Sequence, residues 1–174
     1  LSAFNSNFSY WRDGQDAREV ESWAREDYAV MKDILPIWTE NRGYATELSC
    51  TLYETERFLS VQGMYYSFTG GAHPNTMFLA WNFDLESGSF VEPSFLAADA
   101  QTFQDVVTAE IIRQAEAVAK EAGQEPDAYY WENYRDIAAD WANYAVAFEE
   151  DGMVVTFSPY EMACYAAGAQ VFRL

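Results

Sequence analysis

Basic residues are scarce in this chain. Ten of its 174 residues are Lys or Arg, and only Lys32 and Lys120 are lysines. Nucleic-acid binders set clustered cations against phosphates, so this scarcity excludes that class. It disfavours anionic membrane surfaces for the same reason. Histidine occurs once, as His73, so a zinc centre of two or three histidines cannot be built. Cysteine occurs twice, as Cys50 and Cys164. That is too few for a disulfide framework, and the spacing offers no C-x-x-C metal unit. The pair is either two ordinary buried thiols or one long-range bridge. In the chain-entropy account such a bridge contributes about 4–5 kcal/mol, given an oxidising compartment. No apolar run approaches the ~18 residues of a membrane span, and no signal-peptide pattern opens the sequence. Starting at Leu1, the chain is expected to be a processed or trimmed product or an excised domain, with any leader or anchor upstream. Phosphate loops, EF-hand loops, dinucleotide fingerprints and the G-x-S-x-G elbow are also missing. No metal, cofactor or catalytic set is therefore expected.

Acids and aromatics are abundant. Asp and Glu number 28, the net charge is −18, and 17% of residues are aromatic. Residues 1–87 carry −7 and residues 88–174 carry −11, so the acidity is neither a tail nor a block. A disordered acidic chain would be poor in aromatics. Here they argue for a packed domain that buries roughly 70% of its unfolded surface. The charge reads either as a solvated, self-repelling surface or as a face for a basic partner.

Hydrophobic periodicity divides the chain into elements. Residues 3–11 alternate loosely, as in an edge strand. Asp16 and Glu19 form a capping pair before a helix whose apolar positions are Val20, Ala24, Met31, Leu35 and Trp38, widened by Trp23, Val30 and Ile34. Pro36 ends or kinks it, and Asn41-Arg42-Gly43 is a stop. From Tyr44 the period becomes two. Tyr44–Glu56 puts Leu48, Cys50 and Leu52 on one face. Phe58–Phe68 and Thr76–Leu85 follow, with a turn at Glu86-Ser87-Gly88 into Phe90-Val91. Asp99 caps a second helix built on Phe103, Val106, Val107, Ile111, Ala115 and Val118, ending near Gly123. Asp127–Trp141 reads as a third helix. Asn143–Glu149 and Met153–Phe157 flank the Asp151-Gly152 hairpin signal, a loop covers 159–168, and Ala169–Leu174 is a last strand. The predicted class is α+β, an antiparallel meander with two or three amphipathic helices packed on it.

Three segments carry a family likeness. They are VQGMYYSFTGG (61–71) running into Ala72-His73-Pro74-Asn75, NFDLESG (82–88), and FEEDGMVVTFSPYEMACYAAG (148–168). In that order they resemble the C-terminal domain of the RsiV-like family, over roughly residues 40–174. That family is a bacterial extracytoplasmic domain that also occurs beside PdaC-type domains. The resemblance divides the chain into residues 1–43, a strand and helix that could end a PdaC-like region, and the domain of residues 44–174. It implies an envelope location, with anchoring through a segment outside this sequence, as in a lipoprotein. The family includes an anti-sigma factor that binds lysozyme and a peptidoglycan deacetylase. The deacetylase chemistry needs several histidines, so this chain lacks that catalytic domain. Family members often carry Pro at the position of Cys164, and a cysteine there in an envelope protein favours a Cys50–Cys164 bridge, which needs Cα atoms within about 7 Å.

The candidate ligand-binding residues are His73 and Asn75 in the GGAHPN turn, Tyr160 and Glu161 in the PYE motif, Tyr165, and Trp131. Each has a plain alternative. His73 can bond a neighbouring backbone group, Asp84 can cap the turn that follows it, and Glu161 can satisfy loop donors. Tyr130 and Tyr134 share a helical face with Ile137 and belong to a core, whereas Trp131 and Tyr129 lie off it. The favoured reading is a non-enzymatic envelope module recognising a basic, lysozyme-like protein or a peptidoglycan fragment. One alternative is a wall-glycan or peptide hydrolase using His73. Another is a structural accessory domain of a larger envelope protein.

Overall fold

A computed structural model describes residues 5–6, 9–10, 15–34, 43–141 and 144–174. The chain divides into two compact units, Leu1–Cys50 with Gly63–Met77, and Thr51–Gln62 with Phe78–Leu174. The class is α+β. Among the described residues, β1 (Ala45–Glu54), β2 (Phe58–Phe68), β3 (Asn75–Asp84) and β4 (Ser89–Phe90) form one antiparallel sheet in the order β1-β2-β3-β4. A second sheet holds β5 (Ala145–Glu149), β6 (Gly152–Phe157) and β7 (Gln170–Arg173) in the order β5-β6-β7. Ala145–Phe148 and Met153–Phe157 are buried at every position, the mark of strands with no solvent face.

In the second unit, α2 (Ala100–Glu121) begins as its sequence predicts. The Asp99 carboxylate accepts the Thr102 N–H at 2.6 Å, satisfying one of the free donors of the first turn. Val107, Ile111, Ala115 and Ala119 recur at every fourth position and are buried. The two alanines let α2 approach its neighbours closely. The core around this stripe includes Tyr130, Tyr134, Phe148, Phe157, Met162 and Phe172. Val106 and Val118, expected in the same apolar stripe, are exposed instead, since one row of residues suffices for the contact.

The single helix expected over Asp127–Trp141 is two short ones, α3 (Pro126–Tyr129) and α4 (Tyr134–Ala139). Tyr130 turns extended and pairs with Ala163 as an isolated antiparallel bridge. The Trp131 N–H then donates to Met162 O at 3.0 Å. Bonds to a distant segment override the local helical period here.

Buried polar side chains join strands of the two sheets within this unit. The Phe148 N–H donates to Ser60 Oγ at 2.8 Å, and Asn82 Nδ2 donates to Val146 O at 2.8 Å. Further along, Gln62 Nε2 donates to Thr156 Oγ1 at 3.0 Å. Asp84 fixes the β3–β4 turn: its carboxylate accepts the Glu86 N–H at 2.9 Å and pairs with Arg57 at 3.3 Å. Burial works to raise the Asp84 pKa, but these donors outweigh it and hold the carboxyl below its usual range.

The first unit contains α1 (Gln15–Met31), with Val20 buried. The Tyr44 hydroxyl donates to the Asp27 carboxylate. Burial and that acceptor push the Tyr44 pKa up to about 12. Several expectations are corrected here. Residues 5, 6, 9 and 10 are helical rather than extended. Trp23, Val30 and Ile34 are exposed rather than part of a buried stripe, and so are Cys50 and Leu52 on β1. β1 is the outer strand of its sheet, so its alternation does not translate into burial. The Asp16 side chain, Leu35, Pro36, Trp38, Asn41 and Arg42 lie outside the described residues.

Candidate functional site

The PYE motif follows β6 as a four-residue turn. The Glu161 N–H donates to Ser158 O at 3.0 Å, and the Glu161 carboxylate folds back to accept the Ser158 N–H. Pro159 supplies the fixed φ of the second position. Tyr160 occupies the third position with φ 75°, where a turn of this type ordinarily takes Gly or Asn. A left-handed conformation costs a side-chain-bearing residue about 1–2 kcal/mol. The surroundings hold it there: the Trp131 indole N–H donates to Tyr160 O at 2.9 Å, and the Tyr130–Ala163 bridge clamps the chain just beyond.

The outcome is an aromatic ledge. Trp131 is 39% exposed and Tyr160 51%. The Tyr160 and Tyr165 rings lie 5.5 Å apart at 38°, with Tyr165 half-buried. Beneath them, Tyr130 stacks on Tyr134 at 5.4 Å, and both are buried. Glu161 is half-buried, and burial raises its carboxyl pKa against the lowering effect of the Ser158 donor. The fold thus gathers four residues singled out from the sequence, Trp131, Tyr160, Glu161 and Tyr165. Ser158 and Pro159 build the turn. The proline at the second position of a turn was the signal that marked them.

His73 and Asn75 belong to the first unit. Gly70 adopts φ 84° and lets the chain leave β2 sharply. His73 is half-buried, and its Nδ1 lies 3.0 Å from Pro74 O. A carbonyl only accepts, so Nδ1 carries the hydrogen and donates it. Asn75 is exposed at the first position of β3. Both cysteines are free and exposed, which corrects the expectation of buried thiols. Burial of the sulfur still raises the Cys50 pKa. Among the described residues, no group of three or more His, Cys, Asp or Glu is placed to hold a metal, and no helix is long and apolar enough to cross a membrane.

The ledge offers flat aromatic faces, a phenol and an indole in fixed orientation, and a carboxyl at its base. Such an arrangement can stack against a ring or a peptide plane and bond its edges.

Residues 94–174 match the family described as a protein of unknown function, DUF3298. That span covers α2 to β7 and the whole ledge. A crystal structure of a DUF3298 family protein from Pseudomonas aeruginosa PAO1 is similar at a TM-score of 0.51 and 16% identity, over 79% of this chain and 62% of that one. A member of the same family from Bacteroides fragilis NCTC 9343 is similar at 0.53 and 19% identity, over 88% of this chain and 62% of that one. At these identities the likeness concerns the fold alone. The chain spans 62% of the length of each of these two structures. No curated protein matches it.

Proposed function

We propose that this chain is a non-enzymatic binding module of the bacterial cell envelope, recognising a basic, lysozyme-like protein or a cell-wall fragment. The observation that carries the reading is the ledge of Trp131, Tyr160 and Tyr165, two of whose rings are more than a third exposed. Trp and Tyr dominate binding energy where they stand rigid and desolvate on contact. They lose little side-chain freedom in doing so. The strain held at Tyr160 supports a role beyond packing, because sparsely populated backbone states cluster where ligands are held. A net charge of −18 supplies steering toward a basic partner. The envelope location and any anchor outside this sequence rest on the resemblance to the RsiV-like family, which is an analogy of family and not of site.

Titration calorimetry tests this with lysozymes of several classes and with peptidoglycan fragments, at low and at physiological salt. A saturable heat is expected, weakening with salt for a protein partner. Trp131→Ala is expected to weaken binding about tenfold or more. Silence with every lysozyme class removes the basic-protein version, and silence with the fragments as well removes the reading.

A further inference from the structure

A concave surface lies in the second unit, between two hairpin ends. One is Glu54-Thr55-Glu56-Arg57, between β1 and β2. The other is Glu150-Asp151, between β5 and β6, where Glu149 pairs with Gly152. The cleft has a volume of about 740 Å³. A shallower depression of about 460 Å³ adjoins it, sharing Glu149, Glu150 and Gly152. Its floor is apolar. Phe58 and Phe148 meet at 5.1 Å, and Leu96, Phe103, Met153 and Leu174 also line the cleft. Leu96 is 45% exposed.

The rim has the opposite character. Glu54, Glu56, Glu149 and Glu150 stand around the cleft, and Asp151 lines the depression beside it. Thr55 fixes the first end, its Oγ1 accepting the Phe58 N–H at 2.9 Å. Two guanidinium groups are present. Arg57 is engaged by Asp84 at 3.3 Å and lies over the rings of Phe58 and Phe95 at 5.2 and 5.6 Å. Arg173 lies 3.7 Å from Glu149. Five carboxylates thus outnumber two cations, one of which already pairs with Glu149 of the rim and the other with Asp84. A concave, low-dielectric wall concentrates the field of such a rim.

We propose that this cleft binds a cationic amphipathic peptide segment, an aromatic or aliphatic side chain on the Phe58–Phe148 floor beside an Arg or Lys on the carboxylate rim. This deepens the reading above by giving the chemistry of the basic partner and a second place where it is held. Charge complementarity selects the occupant. Phosphates and anionic lipids are repelled, and a neutral glycan gains nothing from the rim. Arg and Lys suit such a boundary because their alkyl stems lie on apolar surface while the charged head reaches outward. The volume falls within the roughly 300–1,000 Å³ of ordinary ligand pockets.

Amide chemical-shift titration of the full chain tests the assignment with three probes: acetyl-FRFR-amide, acetyl-FQFQ-amide and acetyl-GRGR-amide. The first is expected to bind about tenfold more tightly than either control, shifting amides at 54–58 and 149–153. The double substitution Glu54→Gln/Glu150→Gln and the single Leu96→Ser are each expected to weaken it severalfold. The assignment is overturned if either control binds within twofold of FRFR, if the Glu54→Gln/Glu150→Gln protein binds as before, or if the shifts fall at Trp131 and Tyr160 instead. Binding of lysozyme or wall fragments that depends on Trp131 while FRFR fails leaves the module's function standing and removes the cleft alone.

Discussion

Ser60 donates its hydroxyl hydrogen to Asn82 Oδ1 at 2.6 Å, and both side chains are buried. Each also reaches β5: Ser60 Oγ accepts the Phe148 N–H and Asn82 donates to Val146 O. The pair forms one closed polar unit, in which every group named has its partner. Removing one member leaves others unsatisfied in a dry interior. Ser60→Ala is therefore expected to cost about 2–3 kcal/mol, and Asn82→Leu a comparable amount. The double variant should lose less than the sum, with a coupling of about 1 kcal/mol or more. Urea unfolding of the four proteins in the cycle measures this, and strict additivity would contradict a shared network.

Glu161 gives a pH-dependent prediction. Burial raises its carboxyl pKa in the folded protein, so folding favours the neutral acid. Its contribution is fully present below the unfolded value of about 4.3 and is lost as pH rises through the higher folded value. Glu161→Gln is neutral at every pH. Its stability relative to the parent should rise as pH climbs from about 4 into the neutral range. Denaturation midpoints across that range decide it. A difference that stays flat with pH would show that the charge is not penalised.

Tyr160→Gly separates strain from recognition. Glycine removes the penalty of φ 75° but adds unfolded-chain entropy, so the net gain in stability is at most about 1 kcal/mol. The same change deletes an exposed ring of the ledge and should weaken ligand binding. Tyr160→Ala keeps the strain and loses the ring, so it should be weaker in binding without the stability gain. Thermal melts beside titrations read both quantities. Equal stability of the Gly and Ala variants would refute the strain account.

Gly152 admits no side chain. A Cβ there would run into the Leu174 carbonyl, which is backbone. Met153 and Leu174 exchange two hydrogen bonds of 2.9 Å at the same place, so neither strand can step aside freely. Gly152→Ala is expected to destabilise by about 1–3 kcal/mol. It should also speed hydrogen exchange at the Met153 amide, which calorimetry and exchange measurements would reveal together.

The sequence was legible where local chemistry and tertiary demand coincide. Asp99 caps α2 as its position predicts, Phe58–Phe68 is a strand over that span, and Asp151-Gly152 lies at a hairpin end. It was misleading where a distant partner decides. Tyr130 shares a helical face with Tyr134, yet Ala163 draws it out of the helix. Trp23 and Val30 fit an apolar stripe that nothing in the local pattern reveals to be exposed. The ledge was half visible. Tyr160, Tyr165 and Trp131 stood out as aromatics, but their meeting depends on the Trp131 indole bond across 29 residues of chain. The acid-rimmed cleft was invisible, since its two hairpin ends lie almost a hundred residues apart.

The bonds that Ser60 and Asn82 make to Val146 and Phe148 have a consequence for self-association. β5 is an outer strand, and an open outer strand is a template on which another chain can add. Here a backbone donor and a backbone acceptor are already occupied by side chains, while Ala145–Phe148 is buried. Growth of this sheet into a fibril or a strand-exchanged oligomer is closed at β5. At β7, whose Val171 and Arg173 side chains are exposed, the Arg173 carbonyl accepts the Gln114 side-chain amide at 2.7 Å, so this edge too has an acceptor occupied by a side chain.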